Sequence, residues 1–402
     1  MSEVANIPQL RFPGFSDEWE ERPLKDVSTF FNGKAYKQAE LLSSGKYPVL
    51  RVGNFFTNNS WYYSNLELDE NKYCDNGDLL YAWSASFGPR IWAGEKVIYH
   101  YHIWKVINHS QVTKKFLFIV LDNETAKMKA QSANGFALLH ITKGTIENWK
   151  INLPTRQEQQ KIAAFLTAVD SKIEQLSKKK ALLGEYKKGL MQQIFSQAIR
   201  FKADDGSDFP DWEEKKLGGV VDNVGGTALE KYTNPKETHK FISIGNYGVD
   251  GKYIDNGQRV ELNNKTKTKL LDKDNLVMVL NDKTAAGNIV GSTILIDESD
   301  SYIYNQRSER LICKSELFPI FAWHYLNSKI FRKSVYSISQ GGTQIYVNFP
   351  SVKELNFSLP SLLEQTKIAN FLSSIDTKIE QVGGQLDESK QFKKALLQQM
   401  FV

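Results

Sequence analysis

The chain has little cysteine and no long apolar run, and both features limit the classes of protein to which it can belong. Cys74 and Cys313 are the two cysteines among 402 residues, too few for a zinc site and too far apart to indicate a disulfide framework. No stretch is apolar over the length that a membrane-spanning helix needs. The first residues, MSEVANIPQL, lack the basic and apolar regions of a secretory signal. We therefore expect two reduced thiols in a cytoplasmic protein.

Motifs of the common catalytic classes are missing too. No two prolines are adjacent, which excludes the Asn/Asp-Pro-Pro-aromatic loop with which an adenine methyltransferase holds a flipped base. The sequence also has no P-loop, G-x-G-x-x-G, H-E-x-x-H or G-x-S-x-G motif. His100 and His102 would share one face of a predicted strand, but a third ligand is missing, so we expect no metal there. The chain is expected to have no catalytic residue and no cofactor of its own.

The composition is that of a folded, mildly basic protein. Apolar residues make up 41% of the chain, the net charge is +5 and the pI is about 8.8. A chain of this length forms two or three domains. The charge permits a polyanionic partner without requiring one.

The most informative feature is an internal repeat. Residues 153–195 read LPTRQEQQKIAAFLTAVDSKIEQLSKKKALLGEYKKGLMQQIF, and residues 359–401 read LPSLLEQTKIANFLSSIDTKIEQVGGQLDESKQFKKALLQQMF. The two align without a gap, with about half of the positions identical. A weaker echo precedes each copy, starting with Arg-Phe at Arg11 and at Arg200. A duplicated frame around two dissimilar regions indicates one protein with two related binding surfaces.

Both repeat segments are predicted to be long helices that pair with each other. Leu-Pro opens each, and apolar residues then recur at alternating spacings of four and three. Lys187 and Lys393 interrupt this stripe at equivalent places. Two unrelated surface helices, or pairing between chains, are the alternatives to an antiparallel coiled coil within the chain. The predicted coiled-coil residues are Ile162, Leu166, Val169, Ile173, Leu176, Leu190, Ile368, Leu372, Ile375, Ile379, Val382 and Leu396.

The dissimilar regions are predicted to be mixed α/β domains. Short β-rich runs are YPVLRVGNFF, GDLLYAW and EKVIYHYHIWKV in the first, and KFISIGNY, NLVMVL and GSTILIDE in the second. KFLFIVLDNETAKMKAQ and LFPIFAWHYLNSKIFRKSVYS are each predicted to be one helix. The fold class is α/β, with two similar domains separated by two long antiparallel helices. The predicted boundaries are 1–152 for the first domain, 153–198 for the first helix, 199–358 for the second domain and 359–402 for the second helix.

Several motifs resemble the specificity subunit of type I restriction-modification systems, over nearly the whole chain. They are RFPGFSDEWEERPL, GDLLYAWSASFGPRIW, SQGGTQIYVNFPSVKELNFSLP and the duplicated LPxxxEQxKIAxFLxxxDxKIEQ. The first domain has Asn134-Gly135-Phe136-Ala137 where the second has Gly-Gly-Thr-Gln. The resemblance implies two target-recognition domains that each read half of a bipartite DNA site. It also implies helices that space the domains and bind two modification subunits.

The resemblance places the chemistry on other chains. Two modification (adenine methyltransferase) subunits would bring S-adenosylmethionine, and two restriction subunits would bring Mg and ATP. Double-stranded DNA is the implied ligand of this chain. A self-contained DNA-modifying enzyme and a coiled-coil scaffold with two protein-binding domains are the competing hypotheses.

Bases are read in the major groove by Arg or Lys at guanine and by Asn or Gln at adenine, so the predicted DNA-binding residues are polar side chains in expected loops. In the first domain they are Lys34, Lys37, Arg51, Asn54, Ser84, Ser86, Arg90 and Asn134. In the second they are Lys231, Asn246, Tyr247, Lys283, Asn288, Arg307, Gln340, Gly341, Gly342, Thr343 and Gln344.

Overall fold

A computed structural model of the chain describes residues 6–56, 58–84, 87–132 and 141–402. The chain divides into two compact units, each of which combines one variable domain with parts of both long helices. The first unit takes the chain up to Leu176 and again from Gln385, and the second takes Ser177–Gly384. Within the described residues, no helix is both long and apolar enough to cross a membrane.

The first unit contains three small sheets and the elements that cover them. β1 pairs antiparallel with β10, a second sheet has the order β2-β9-β6-β7, and a third has the order β4-β3-β8-β5 with β3 and β8 parallel. Its strands are β1 (Glu20–Pro23), β2 (Ser28–Asn32), β3 (Tyr47–Leu50), β4 (Tyr62–Ser64), β5 (Tyr73–Cys74), β6 (Leu79–Ala82), β7 (Gly88–Ile91), β8 (Val97–Tyr99), β9 (Ile103–Asn108) and β10 (Lys150–Leu153). Its helices are α1 (Leu24–Val27), α2 (Val52–Phe56), α3 (Lys114–Ser132) and α4 (Lys143–Glu147), followed by the first half of the long helix α5 (Arg156–Phe195).

The second unit repeats most of this topology with different residues, and its described residues add the pair β16-β20 and have no equivalent of β5. β11 pairs with β21, one sheet has the order β12-β19-β15-β17, another has the order β14-β13-β18 with β13 and β18 parallel, and β16 pairs with β20. Its strands are β11 (Glu213–Lys216), β12 (Val221–Gly225), β13 (His239–Ile242), β14 (Arg259–Val260), β15 (Leu276–Val279), β16 (Asn281–Asp282), β17 (Thr293–Leu295), β18 (Tyr302–Tyr304), β19 (Ser308–Cys313), β20 (Ile345–Tyr346) and β21 (Asn356–Leu359). Its helices are α6 (Leu217–Val220), α7 (Pro319–Leu326), α8 (Lys329–Ser337) and α9 (Phe349–Lys353), followed by the first half of the long helix α10 (Leu362–Met400).

The predicted α/β class, the internal repeat and the paired long helices are confirmed. In the first unit, Ile162 and Leu166 of α5 share a buried core with Leu396 and Met400 of α10. In the second unit, Ile194 of α5 shares a core with α10 in the same way. Because the beginning of one helix packs with the end of the other in each unit, the helices are antiparallel. All twelve predicted stripe residues are buried or half-buried.

The lysines that interrupt the stripe form ion pairs between the helices. Lys187 of α5 lies 2.6 Å from Asp376 of α10 in the second unit, and Lys393 of α10 lies 2.6 Å from Asp170 of α5 in the first. The two pairs join equivalent positions of the repeat. Burial lowers the pKa of Lys187, and Asp376 opposes that shift. A partly buried ion pair contributes little net stability, and its best-attested role is to fix helix register.

The Glu-Gln of the repeat motif secures each long helix to its own domain. Glu158 accepts two hydrogen bonds from Arg11, at 2.7 and 2.8 Å. Gln159 accepts the backbone N–H of Thr113, the residue immediately before α3, at 2.9 Å. Glu364 and Gln365 make the same contacts with Arg200 and with the backbone of Phe318. These contacts explain why an Arg-Phe echo accompanies each copy of the helix.

Each unit also closes the chain in the same way at the end of its helix pair. The N–H of Ile199 donates to the carbonyl of Gln193 at 3.2 Å, where the chain leaves α5. The N–H of Leu10 donates to the carbonyl of Gln399, the equivalent residue of α10, at 2.8 Å. The segment that precedes the first domain therefore bonds to the end of α10, and the segment that precedes the second domain bonds to the end of α5 in the same way.

Three local predictions need correction. The segment LFPIFAWHYLNSKIFRKSVYS is two helices, because the Ser328 hydroxyl caps α8 by accepting the N–H of Phe331 while the Asn327 side chain bonds to the backbone of Thr293. The run YPVLRVGNFF is a strand followed by the helix α2. Leu153 and Leu359 end the strands β10 and β21 and do not belong to the long helices.

Candidate nucleic-acid interface

The structure brings three predicted DNA-binding residues of the second domain to one polar cleft. Lys283, Arg307 and Gln344 line a concavity of about 460 Å³. Their side chains are exposed, and they come from three separate loops. The cleft has an acidic residue as well, Glu230, whose pKa is held below its ordinary value chiefly by the Asn305 amide. Exposed cations and amides in a concave surface suit a nucleic-acid duplex.

The Gly-Gly-Thr-Gln loop forms one rim of this cleft. Gln340 and Tyr346 pair across its base, and β20 continues that pairing with β16 beside Lys283. Gly341 has a φ of +103°, and a Cβ at this position would lie 1.9 Å from the carbonyl oxygen of Gln344. Glycine is therefore required for the turn, which holds Thr343 and Gln344 exposed at its tip.

Asn246 and Tyr247 lie inside the second domain. The Asn246 amide oxygen accepts the backbone N–H of Ser243 at 3.0 Å, and its amide nitrogen donates to the Ile254 carbonyl at 2.9 Å. The Tyr247 hydroxyl donates to Ser308 at 2.8 Å. Both side chains are buried, so they stabilise their loop and are not available to a base edge in this structure.

The remaining candidates of the second domain are exposed but lie outside the lining of the cleft. Lys231 is next to Glu230, and its ammonium lies 4.9 Å from the centre of the Tyr232 ring. The backbone carbonyl of Asn288 accepts a hydrogen bond from Arg332 at 2.8 Å, and the Asn288 side chain is exposed.

The candidates of the first domain are more dispersed. Arg51 and Asn54 both donate to the carbonyl of Ser60, at 3.2 and 2.8 Å, so they hold one loop together. The Lys34 ammonium lies 3.3 Å from the carboxylate of Glu40, which follows Lys37 by three residues. The others are distributed as follows: Lys37 is exposed, Ser84 is buried, Arg90 lies over the Phe56 ring, and Ser86 and Asn134 lie outside the described residues.

Sequence reasoning named Arg307 but missed that it belongs to a turn which joins two strands and has an equivalent in the first domain. His100, Tyr101 and His102 connect β8 to β9, and Asn305, Gln306 and Arg307 connect β18 to β19. The flanking strands have identical burial patterns in the two domains. The repeat itself was the signal that could have revealed these turns, because the order of the elements is the same in both domains while the three turn residues differ completely.

His100 and His102 therefore lie in a turn, and the prediction that they share one face of a strand is wrong. The N–H of Ile103 donates to the carbonyl of His100 at 2.9 Å, and the His102 ring packs on Trp83 with centroids 4.9 Å apart. Burial lowers the pKa of His100 to about 4, so its ring is neutral at neutral pH. Within the described ranges, no group of three or more His, Cys, Asp or Glu residues could hold a metal ion.

One α/β frame built twice, with different polar side chains at the same turn, defines a protein with two recognition domains. The model of the type I restriction modification DNA specificity domain matches residues 16–184 and again residues 210–389. The chain belongs to this family. It is a specificity subunit of a type I restriction-modification system, whose role is to recognise DNA sequence.

Individual relatives agree with this assignment. The type I restriction enzyme MjaVIII specificity subunit of Methanocaldococcus jannaschii is 28% identical over 404 residues, covering 96% of this chain and 92% of that protein. The putative MjaX specificity subunit of the same organism is 22% identical over 430 residues, covering 98% and 94%. The crystal structure of a type I restriction-modification S subunit from M. genitalium has the same fold, with a TM-score of 0.61, 16% identity and coverage of 98% and 99%.

Proposed function

We propose that each domain reads one half of a bipartite DNA target. The observation that carries this proposal is the pair of equivalent turns, which have the same flanking strands and burial but His-Tyr-His in one domain and Asn-Gln-Arg in the other. A shared frame with different side chains at one turn is what two readers of different sequences need. Phosphate contacts position such a reader, and contacts to base edges give it specificity.

The long helices are the spacer in this proposal. They contain 40 and 39 residues, which at 1.5 Å per residue is about 60 Å. Half-sites one turn of B-DNA apart are separated by about 34 Å. The ion pairs Lys187–Asp376 and Lys393–Asp170 would keep the helix register, and with it the gap between half-sites, constant.

The same helices are proposed to bind two modification subunits. Tyr186 of α5 and Phe392 of α10 occupy equivalent positions of the repeat, and their exposed fractions are 57% and 53%. Aromatic side chains are enriched in the buried centres of protein interfaces. One such residue at the same place in each repeat supports two equivalent docking sites, one for each modification subunit.

Catalysis in this proposal belongs to the partner chains. The modification subunits would bind S-adenosylmethionine and methylate adenine, and two restriction subunits would bind ATP and Mg. This chain would contribute the choice of sequence and the assembly surface.

The docking sites predict a change of stoichiometry. Tyr186→Ser and Phe392→Ser, made singly, are expected to reduce the bound modification subunits from two to one, because each substitution removes one aromatic anchor. The double variant is expected to bind none. Light scattering of the purified complex measures this mass directly.

Leu363→Ser is the matched control. Leu363 is also a large apolar residue on α10 and is 75% exposed, but its repeat equivalent is Gln157, so it is not part of a duplicated site. We expect this variant to keep two subunits. Retention of both subunits by the Tyr186 and Phe392 double variant would contradict the assignment.

Selection of duplexes from a randomised pool by the complex of this chain with its modification subunit tests half-site reading. The expected result is two defined half-sites separated by a gap of fixed length and undefined sequence. Enrichment of one continuous motif would contradict two separate readers.

A further inference from the structure

The turn Asn305–Arg307 is held more rigidly than an exposed connection requires. The Asn305 amide oxygen accepts the N–H of Leu229 at 3.0 Å, and its amide nitrogen donates to Glu230 at 2.8 Å. The Arg307 carbonyl accepts the N–H of Leu280 at 2.8 Å. The backbone is therefore fixed at both ends of the turn, and side chains on it have a defined position.

A glycine allows the neighbouring strand to approach this turn closely. A Cβ on Gly226 would lie 2.0 Å from the carbonyl oxygen of Asn305. Gly33 has the same relation to the turn of the first domain, where a Cβ would lie 2.3 Å from the His100 carbonyl oxygen. Both domains therefore keep the support of the turn while its residues differ.

The side chains of Gln306 and Arg307 differ in whether a hydrogen bond holds them in place. The Gln306 amide nitrogen donates to Glu230 at 2.7 Å, which orients the amide and leaves its oxygen as an acceptor. Arg307 is exposed, has a φ of +67°, and lines the cleft beside Lys283 and Gln344. Over the part of the chain that the structure describes, its guanidinium has neither an ion-pair nor a hydrogen-bond partner.

From this geometry we infer that the Asn305–Arg307 turn determines the specificity of the second domain, with Arg307 reading a guanine and Gln306 reading the amino group of a neighbouring adenine or cytosine. A free guanidinium matches the O6 and N7 acceptors of guanine in the major groove. One N–H of the Gln306 amide is held by Glu230, and the amide oxygen stays free to accept from adenine N6 or cytosine N4. Glu230 is a positioning residue, because it acts through the hydrogen bond that orients Gln306. The inference rests on the proposed function.

The test compares base preferences position by position. Complexes of the full chain with its modification subunit select duplexes from a randomised pool, using the natural sequence, Arg307→Ala and Glu230→Ala. Arg307→Ala is expected to lose about tenfold discrimination for guanine at one position of one half-site. Glu230→Ala is expected to relax the neighbouring position and leave the guanine preference, because the Gln306 amide loses its fixed orientation and can rotate to present either its oxygen or its NH2 group.

Arg259→Ala is the control for charge and folding. Its guanidinium is committed to Asp255 at 2.8 and 2.9 Å and does not line the cleft, so both half-sites are expected to stay unchanged. If the natural complex selects a bipartite motif but Arg307→Ala keeps the guanine, the inference is wrong and the proposed function stands. If the natural complex selects no motif, the proposed function itself fails.

Discussion

Glu364→Ala is expected to lower the free energy of unfolding of the second unit by about 3–5 kcal/mol. Glu364 is buried and accepts hydrogen bonds from two nitrogens of Arg200, at 2.9 and 3.0 Å, and from the Trp212 indole at 3.0 Å. The bond to Glu364 is the main reason that the pKa of Arg200 is raised above its ordinary value. The truncation leaves the Trp212 indole N–H without its acceptor and removes the carboxylate from the partly buried Arg200, which keeps the backbone carbonyl of Pro210 as an acceptor. Denaturant unfolding of the full chain measures the loss.

Glu380→Ala is the matched control on the same helix. Glu380 also makes an ion pair, 2.6 Å from Lys252, but its side chain is 65% exposed. Exposed pairs of this kind are worth less than about 1 kcal/mol. A Glu364→Ala variant no less stable than Glu380→Ala would show that the buried pair does not hold α10 to its domain.

Deletion of one heptad from each long helix is expected to abolish methylation of the natural target. Removing residues 175–181 and 382–388 shortens each helix by about 10 Å, equivalent to about three base pairs. Both deletions lie between Asp170 and Lys187 or between Asp376 and Lys393, so both ion pairs are kept. The selected gap should become shorter by this amount. Binding should also weaken, because three base pairs rotate one half-site by about a third of a turn.

A triple variant of the same segment controls for its charge. Lys178→Ala, Lys179→Ala and Lys180→Ala keep the helix length and remove three lysines of α5. This variant should select the natural gap. A deletion variant that also selects the natural gap would show that the helices do not set the spacing.

The repeat and the helices could be predicted because their signal is local and periodic. A heptad stripe is determined by spacing along one segment, and the copy in phase at residues 359–401 supports it independently. Lys187 and Lys393 were visible as interruptions of that stripe. Their partners, Asp376 and Asp170, belong to the other helix, and pairing between distant segments is not written in either helix alone.

The turns between β8 and β9 and between β18 and β19 could not be placed from their own residues. EKVIYHYHIWKV looks like one strand, because most of its residues are β-branched or aromatic. The break at His100 depends on Gly33 of a distant segment, which brings its backbone against the carbonyl of His100. Asn246 and Tyr247 are polar residues at the end of a predicted strand, where an exposed loop is expected. Only the tertiary structure reveals that their polar groups bond within the domain.

Base-resolution mapping of N6-methyladenine in cells with and without this chain would test whether the two domains read one bipartite site. Removal of the chain is expected to eliminate one methylated motif, made of two defined halves separated by a gap of fixed length. A motif that persists without the chain, or a lost motif that is continuous, would contradict two reading domains on one spacer.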